Sequence, residues 1–343
     1  MEISVKEHRL KLTHLDKIYW PDEQITKGDL LRYYREIAPV ILPHLRNRPQ
    51  ALLRHPEGIR GENFFQREME RDTPDWVETV KIHSRGCERE CLLCQDEAAL
   101  LYMANLGCIE INPWNSRVHA LDNPDYLIIE FHAGEAAPEK VIEAALSLRR
   151  TLEILEIESV CKTADGAGLQ AYIPLGGRYT HEQAEPLAEI LVGLVHQKLP
   201  HDTCLERLPS KRGGRVYLDV SQNRRGGAAP AAYSVLALPG APVSTPLAWP
   251  EIQPGMLREF DFAAIQKRLD RAGDLWKPIL GKGINLEPCL ERADLEYERR
   301  HANSVEKTGL TKEDVKKAGR AKKDAARKLM EQHRQDKSPR AKQ

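Results

Sequence analysis

Asp125-Tyr126-Leu127-Ile128-Ile129-Glu130-Phe131-His132 is the stretch on which the fold turns. Five of its eight residues are β-branched or bulky apolar, which predicts a strand in the core of a sheet. Strand side chains alternate between faces, so Glu130 and His132 fall on one face.

Downstream of this strand, Pro138–Leu155 carries Val141, Ala145, Leu148, Leu152 and Leu155 at helical spacing. A loop, Thr163-Ala164-Asp165-Gly166-Ala167-Gly168, then precedes a strand at Gln170–Pro174. Thr180 and Gln183 form a capping box for a helix to about Leu199, with Leu187, Ile190, Leu191 and Leu194 inward. A strand at Arg215–Val220 leads into a basic, glycine-rich loop, Gln222-Asn223-Arg224-Arg225-Gly226-Gly227. Upstream, Thr26 and Asp29 cap a helix over 27–42 whose apolar stripe is Leu30, Leu31, Tyr34 and Ile37. Short strands follow at Gln50–His55 and Val77–Ile82, then a helix at about Asp96–Asn105. Beyond a proline-rich run from Pro239 to Pro254, a helix near 259–272 closes the body, and Thr311 starts a basic helical pattern. No internal repeat is present. This order predicts an α/β or α+β body rather than a helical bundle.

The chain has 343 residues, 41% hydrophobic and 30% charged, the profile of a soluble globular protein with one large or two modest domains. No apolar run is long enough to cross a membrane, and the charged N-terminus lacks the core of a signal peptide. A cytoplasmic, nucleoid-associated location is the expectation. Lys/Arg and Asp/Glu both number 51, yet residues 299–343 hold 15 Lys/Arg against 6 Asp/Glu, leaving 36 against 45 in residues 1–298. The division expected is a body over 1–298 and a basic, partly helical or disordered tail over 299–343. Such a tail suits a polyanion, and also suits a solubilising role. Seven cysteines in such a chain argue against a disulfide framework. Cys87, Cys91 and Cys94 form C-x3-C-x2-C, with His83 and Cys108 near in sequence, so zinc ligation and unligated thiols both stay open.

Nucleotidyl transfer commonly uses divalent metal held by an acidic-x-acidic pair on a core strand and a third acid on a neighbouring strand. Glu130 and His132 occupy such a pair, and Asp219 ends Val216-Tyr217-Leu218-Asp219. The same residues also fit a half-exposed strand edge with two polar groups.

A series of stretches in order from about residue 10 to 290 carries a more specific signal. They include Leu15-Asp16-Lys17-Ile18-Tyr19-Trp20-Pro21, Phe64-Phe65-Gln66, Pro74-Asp75-Trp76-Val77, Asn105-Leu106-Gly107-Cys108-Ile109-Glu110, Asn112-Pro113-Trp114, Gln222-Asn223-Arg224-Arg225-Gly226 and Pro239-Gly240-Ala241-Pro242. On these the chain resembles the polymerase domain of bacterial DNA ligase D, in the archaeo-eukaryotic primase superfamily. The resemblance implies an α+β, primase-polymerase-like fold with mixed and antiparallel sheets flanked by helices. It implies addition of nucleotides at double-stranded DNA ends bearing a 5′-phosphate, in non-homologous end joining, with Ku and an ATP-dependent ligase as partners and Mn²⁺ or Mg²⁺ as cofactor. It implies that Lys17 and Lys27 contact the 5′-phosphate, that Phe64 and Phe65 stack on bases, and that Arg54, Lys162 and Thr163 serve the nucleotide. Glu130, His132 and Asp219 take the catalytic and metal-binding positions.

The same resemblance exposes departures. The family's metal strand reads Asp-x-Asp, where this chain has Glu130-Phe131-His132. Ala164 and Gln170 stand where the family has Ser and His, and Leu236 and Leu238 where it commonly has basic residues. All of these weaken the hold on a metal–triphosphate complex, so impaired catalysis is the expectation, with retuned Mn²⁺ chemistry as the alternative. No ligase or nuclease motif accompanies the domain, so a stand-alone unit is expected.

Overall fold

The computed structural model describes residues 1–70, 72–84, 87–253 and 260–308. The pattern starting at Thr311, and with it most of the basic tail, lies outside the described residues.

In the N-terminal half, α1 (Lys27–Leu45) starts at the expected cap. The Asp29 backbone N–H donates to Thr26 Oγ1 at 3.1 Å, and the Thr26 N–H donates to Asp29 Oδ2 at 2.9 Å. Leu30, Leu31, Tyr34, Ile37 and Ile41 form its buried stripe. It packs against α2 (Glu97–Asn105), which Asp96 caps. The pair backs a three-stranded antiparallel sheet ordered Phe64–Gln66, Gln50–Arg54, Cys108–Pro113. Tyr34 ties helix to sheet by donating to the Ile109 carbonyl at 2.6 Å. Phe64–Gln66 is the edge strand.

The C-terminal half is built on a six-stranded sheet. Its order is Thr203–Cys204, Val216–Asp219, Tyr126–His132, Leu169–Pro174, Val160–Thr163, Pro246–Leu247. All pairs are antiparallel except Thr203–Cys204 with Val216–Asp219, so the sheet is mixed. Leu127, Ile129 and Phe131 share one core with α3 (Pro138–Ile154) and α4 (His181–Lys198), whose Thr180–Gln183 capping box is present. Tyr126 and Ile128 belong to the core that holds α1 and α2. Glu130 and His132 continue that second face, so they point away from the α3–α4 layer. A short helix, α5 (Phe262–Ala272), and a long one, α6 (Leu286–Thr308), complete the body.

The structure departs from the sequence expectation in several places. The strand expected at Val77–Ile82 runs Thr79–Ser84, because a turn bonding the Val77 N–H to the Pro74 carbonyl takes its first residues. Strands at Cys108–Pro113 and Val160–Thr163 were not anticipated. α6 packs on α4 and runs through position 299, where composition alone marks the start of the tail.

Candidate metal and nucleic-acid site

The sheet register assembles the centre. Glu130 lies directly opposite Asp219 on one side and Gln170 on the other, and His132 lies opposite Tyr217. His132 Nε2 sits 3.7 Å from Glu130 Oε2 and 3.6 Å from Asp219 Oδ2. Ligand atoms of these three residues all lie within 4.8 Å of one another, and they form the one such trio among the described residues. The sequence-predicted set is thus brought together. Gln170, buried, donates its amide to Glu130 Oε1, so one carboxylate oxygen is already engaged. The His132 ring stacks on Tyr217 with centroids 5.7 Å apart, and the Arg212 guanidinium covers the same tyrosine at 4.2 Å.

Electrostatics follow from this packing. Hydrogen bonding to Asp219 and then Glu130 raises His132 to about 9 against the opposing effect of burial. Burial alone would push Asp219 up, but His132 and the Ser221 N–H bring it down to about 2. The imidazole is therefore charged at neutral pH and bridges two carboxylates. As a donor set, one imidazole and two carboxylates suit Mn²⁺ or Zn²⁺ better than Mg²⁺, which prefers an all-oxygen octahedron.

The expected nucleotide residues are placed differently. Lys162 is 0% exposed and donates to Ser244 Oγ at 2.7 Å, with Tyr172 beneath its ammonium. Burial brings it down to about 8, opposed by the charges of Glu130, Asp165 and Glu110. Thr163 is occupied by its own strand neighbours, donating to the Val243 carbonyl and accepting the Thr245 N–H at 2.8 Å. Arg54 bonds Leu106, Gln66 and Glu70. Leu236 is buried, and the Leu238 carbonyl accepts the Trp20 indole N–H at 2.8 Å.

Sequence reasoning missed Glu110, a buried acid that accepts from Asn112 Nδ2 at 3.1 Å. Burial, then the charge of Asp165, pushes it up to about 7. A carboxylate inside the otherwise uncharged run Cys-Ile-Glu-Ile-Asn-Pro was the available signal. Tyr217 and Arg212 were missed because stacking across a sheet leaves no local pattern.

The residues expected to grip a DNA end converge elsewhere. The Lys27 N–H donates to the Lys17 carbonyl at 2.8 Å. Lys17 bonds Glu57 at 2.6 Å. Lys27 is buried, holds the Thr13 carbonyl at 2.8 Å, and has no ion-pair partner among the described residues. Burial, then Lys17 and Arg54, lowers it to about 8. Phe64 and Phe65 stand 46% and 49% exposed, so neither is a core side chain. Arg54 covers Phe64 at 5.2 Å and Arg67 covers Phe65 at 5.4 Å.

Cys91, Cys94 and Cys108 are buried, and burial raises all three thiols, Cys91 to about 11. They join no trio of metal-ligating groups among the described residues. The Cys87 side chain lies outside those residues. Among the described residues no helix is long and apolar enough to cross a membrane.

Comparisons with known proteins bear on the family and the fold. The family described as LigD, primase-polymerase domain, matches residues 26–276. The multifunctional non-homologous end joining protein LigD of Mycolicibacterium smegmatis is 28% identical over 274 residues, covering 79% of this chain and 36% of that protein. That of Pseudomonas aeruginosa is 29% identical over 288 residues, covering 82% and 34%. The chain thus spans about a third of the length of these relatives. The solved polymerase domain of Mycobacterium tuberculosis ligase D, in complex with DNA, superposes with a TM-score of 0.76 at 25% identity, covering 81% of this chain and 100% of that one. With the expected α+β architecture in place and the family match spanning most of the body, this chain belongs to the LigD primase-polymerase domain family.

Proposed function

We propose that this protein holds 5′-phosphorylated DNA ends in repair of the end-joining type, and that nucleotidyl transfer at its metal site is impaired. The observation that carries the second half is the bridging position of His132 between Glu130 and Asp219. A divalent cation must displace the imidazolium proton and compete with the Gln170 amide for Glu130. Lys162, tied to Ser244 and fully buried, makes no direct contact with a triphosphate from that position. The first half is supported by two exposed phenylalanines under arginines, by the uncompensated Lys27 next to Lys17, and by a DNA-bound structural relative. Ku and an ATP-dependent ligase as partners belong to the same proposal.

A second reading, a Mn²⁺-dependent polymerase, is favoured by the compactness of the trio itself. Glu130, His132 and Asp219 would hold the ion, whose charge would steady the transferring phosphate. The chain's own contribution is to fix the three donors by sheet register and to clamp the His132 ring on Tyr217. One experiment separates the readings: extension of a gapped, 5′-phosphorylated duplex with ribonucleotides in Mg²⁺ or Mn²⁺. The binding reading expects no extension in either metal by the wild type, and a gain in Mg²⁺ on combining Glu130→Asp with His132→Asp. Strong wild-type extension in Mn²⁺ that Asp219→Ala abolishes would establish the polymerase instead.

A further inference from the structure

We propose a second anion site, for a phosphate monoester, at the opposite end of the central strand from Glu130. It is a cavity of about 360 Å³ lined by Arg117, His119, Asn123, Asp125, Gly177 and Gly281, among others. That volume is in the range of small-molecule sites. Asp125 immediately precedes the strand that carries Glu130, five residues on, so about 17 Å of extended chain separates the two sites. The cavity is therefore distinct from the acid–imidazole centre.

Its polar lining is short of acceptors and rich in donors. Asp125 receives both the Arg48 guanidinium, which is fully buried, and Arg117 Nε at 2.8 Å. The cluster of Arg48, Arg117 and Asp125 carries a net charge of +1, with Arg48 buried behind the lining and Arg117 in it. The carboxylate also fixes Arg117 through Nε, so the two Nη groups, which make no hydrogen bond among the described residues, are oriented like a fork that matches phosphate geometry. The Asn123 amide and the His119 ring likewise have no side-chain partner among the described residues. The nearest further acid in sequence, Asp122, pairs with Arg225 at 3.4 Å. Gly177 has φ +65°, and a Cβ there would come within 3.3 Å of Asp125 Oδ1, so the wall at this point is bare backbone. Lys282 follows the lining Gly281 in sequence, while Arg178, next to Gly177, donates to the Gly283 and Ile284 carbonyls. Ile279 and Leu280 give one apolar wall, which suits the organic part of a monoester.

The test uses the full chain, with inorganic phosphate and uridine 5′-monophosphate as probes and sodium chloride at matched ionic strength as control. Both phosphates should raise the melting temperature beyond the salt effect. His119→Glu, on an exposed loop residue, should weaken monophosphate binding at least about tenfold by placing a carboxylate against the phosphate. Arg117→Gln should do the same. If Arg117→Gln does not fold, His119→Glu carries the test alone. Binding of a 5′-phosphorylated duplex end should be unchanged in His119→Glu, while Lys17→Glu should lose the duplex end and keep the monophosphate, so this site and the end-binding reading fail separately. Stabilisation no greater than with sodium chloride, or equal affinity in wild type and His119→Glu, would overturn the proposal.

Discussion

A histidine at position 132 changes what two acids can hold. In the folded state it is raised to about 9 and Asp219 is lowered to about 2, so each stabilises the other. The His132 contribution is complete below its unfolded value of about 6.5 and is lost as pH rises through about 9. That of Asp219 is complete above about 4 and is lost as pH falls through about 2. Both are therefore fully present from about pH 4 to 6.5. His132 is 40% exposed at its side chain, so solvent screening leaves about 1 kcal/mol rather than the full shift. Urea unfolding of wild type and His132→Gln should differ by that amount at pH 6 and converge at pH 10; a gap that widens with pH would refute the bridge. At the DNA face, Phe64→Ala and Phe65→Ala should each weaken binding of a duplex end with an overhang by about 1–3 kcal/mol. Both rings are half exposed, so stability should change by no more than about 0.5 kcal/mol. Loss of stability in place of binding would make them packing residues.

At the scale of elements, the first turn of α1 links fold to function. The capping box places Asp29 on Thr26, and Lys27 leaves that turn to meet Thr13. Thr26→Ala should cost about 1 kcal/mol of stability and also reduce preference for a 5′-phosphate, measured by competition between phosphorylated and unphosphorylated ends. Unchanged preference would mean that Lys27 is positioned by its burial alone. This helix was legible because cap and stripe are local signals, as they were for α4. α6 was not. Its buried positions Leu286, Cys289, Leu290 and Ala293 do recur at helical spacing, but Glu296 completes the stripe and charge dominates the window. Cys108–Pro113 escaped notice because it is buried on both faces and shows no alternation. The acidic centre was legible as three residues on two strands. What was hidden were the long-range contacts that qualify it: Gln170 on Glu130, Ser244 on Lys162, and Tyr217 under His132. These depend on register between strands distant in sequence, which no window of sequence contains.

At the scale of the whole molecule, charge is divided against the end-binding reading unless the C-terminal region takes part. Residues 1–298 hold 36 Lys/Arg against 45 Asp/Glu, so the body as a whole repels a polyanion, and Lys17, Lys27 and Arg54 act only locally. Residues 309–343 hold 12 Lys/Arg against 5 Asp/Glu. The body should then decide which DNA feature is bound, and the C-terminal residues how tightly and how salt-sensitively. Truncation after residue 308 keeps α6 and removes those cations. Each phosphate contact contributes about 0.9 to the slope of log K against log salt. If half of the twelve cations engage phosphates, the slope should flatten by about 5, with a large loss of affinity at low salt and a small one at high salt. The ratio of affinities for phosphorylated and unphosphorylated ends should stay the same, because the residues proposed to read the phosphate remain. Fluorescence anisotropy across a salt series, on both ends and both lengths of chain, measures all four quantities. An unchanged slope would place the electrostatic hold within the body, and a lost 5′-phosphate preference would move end recognition to the C-terminal residues.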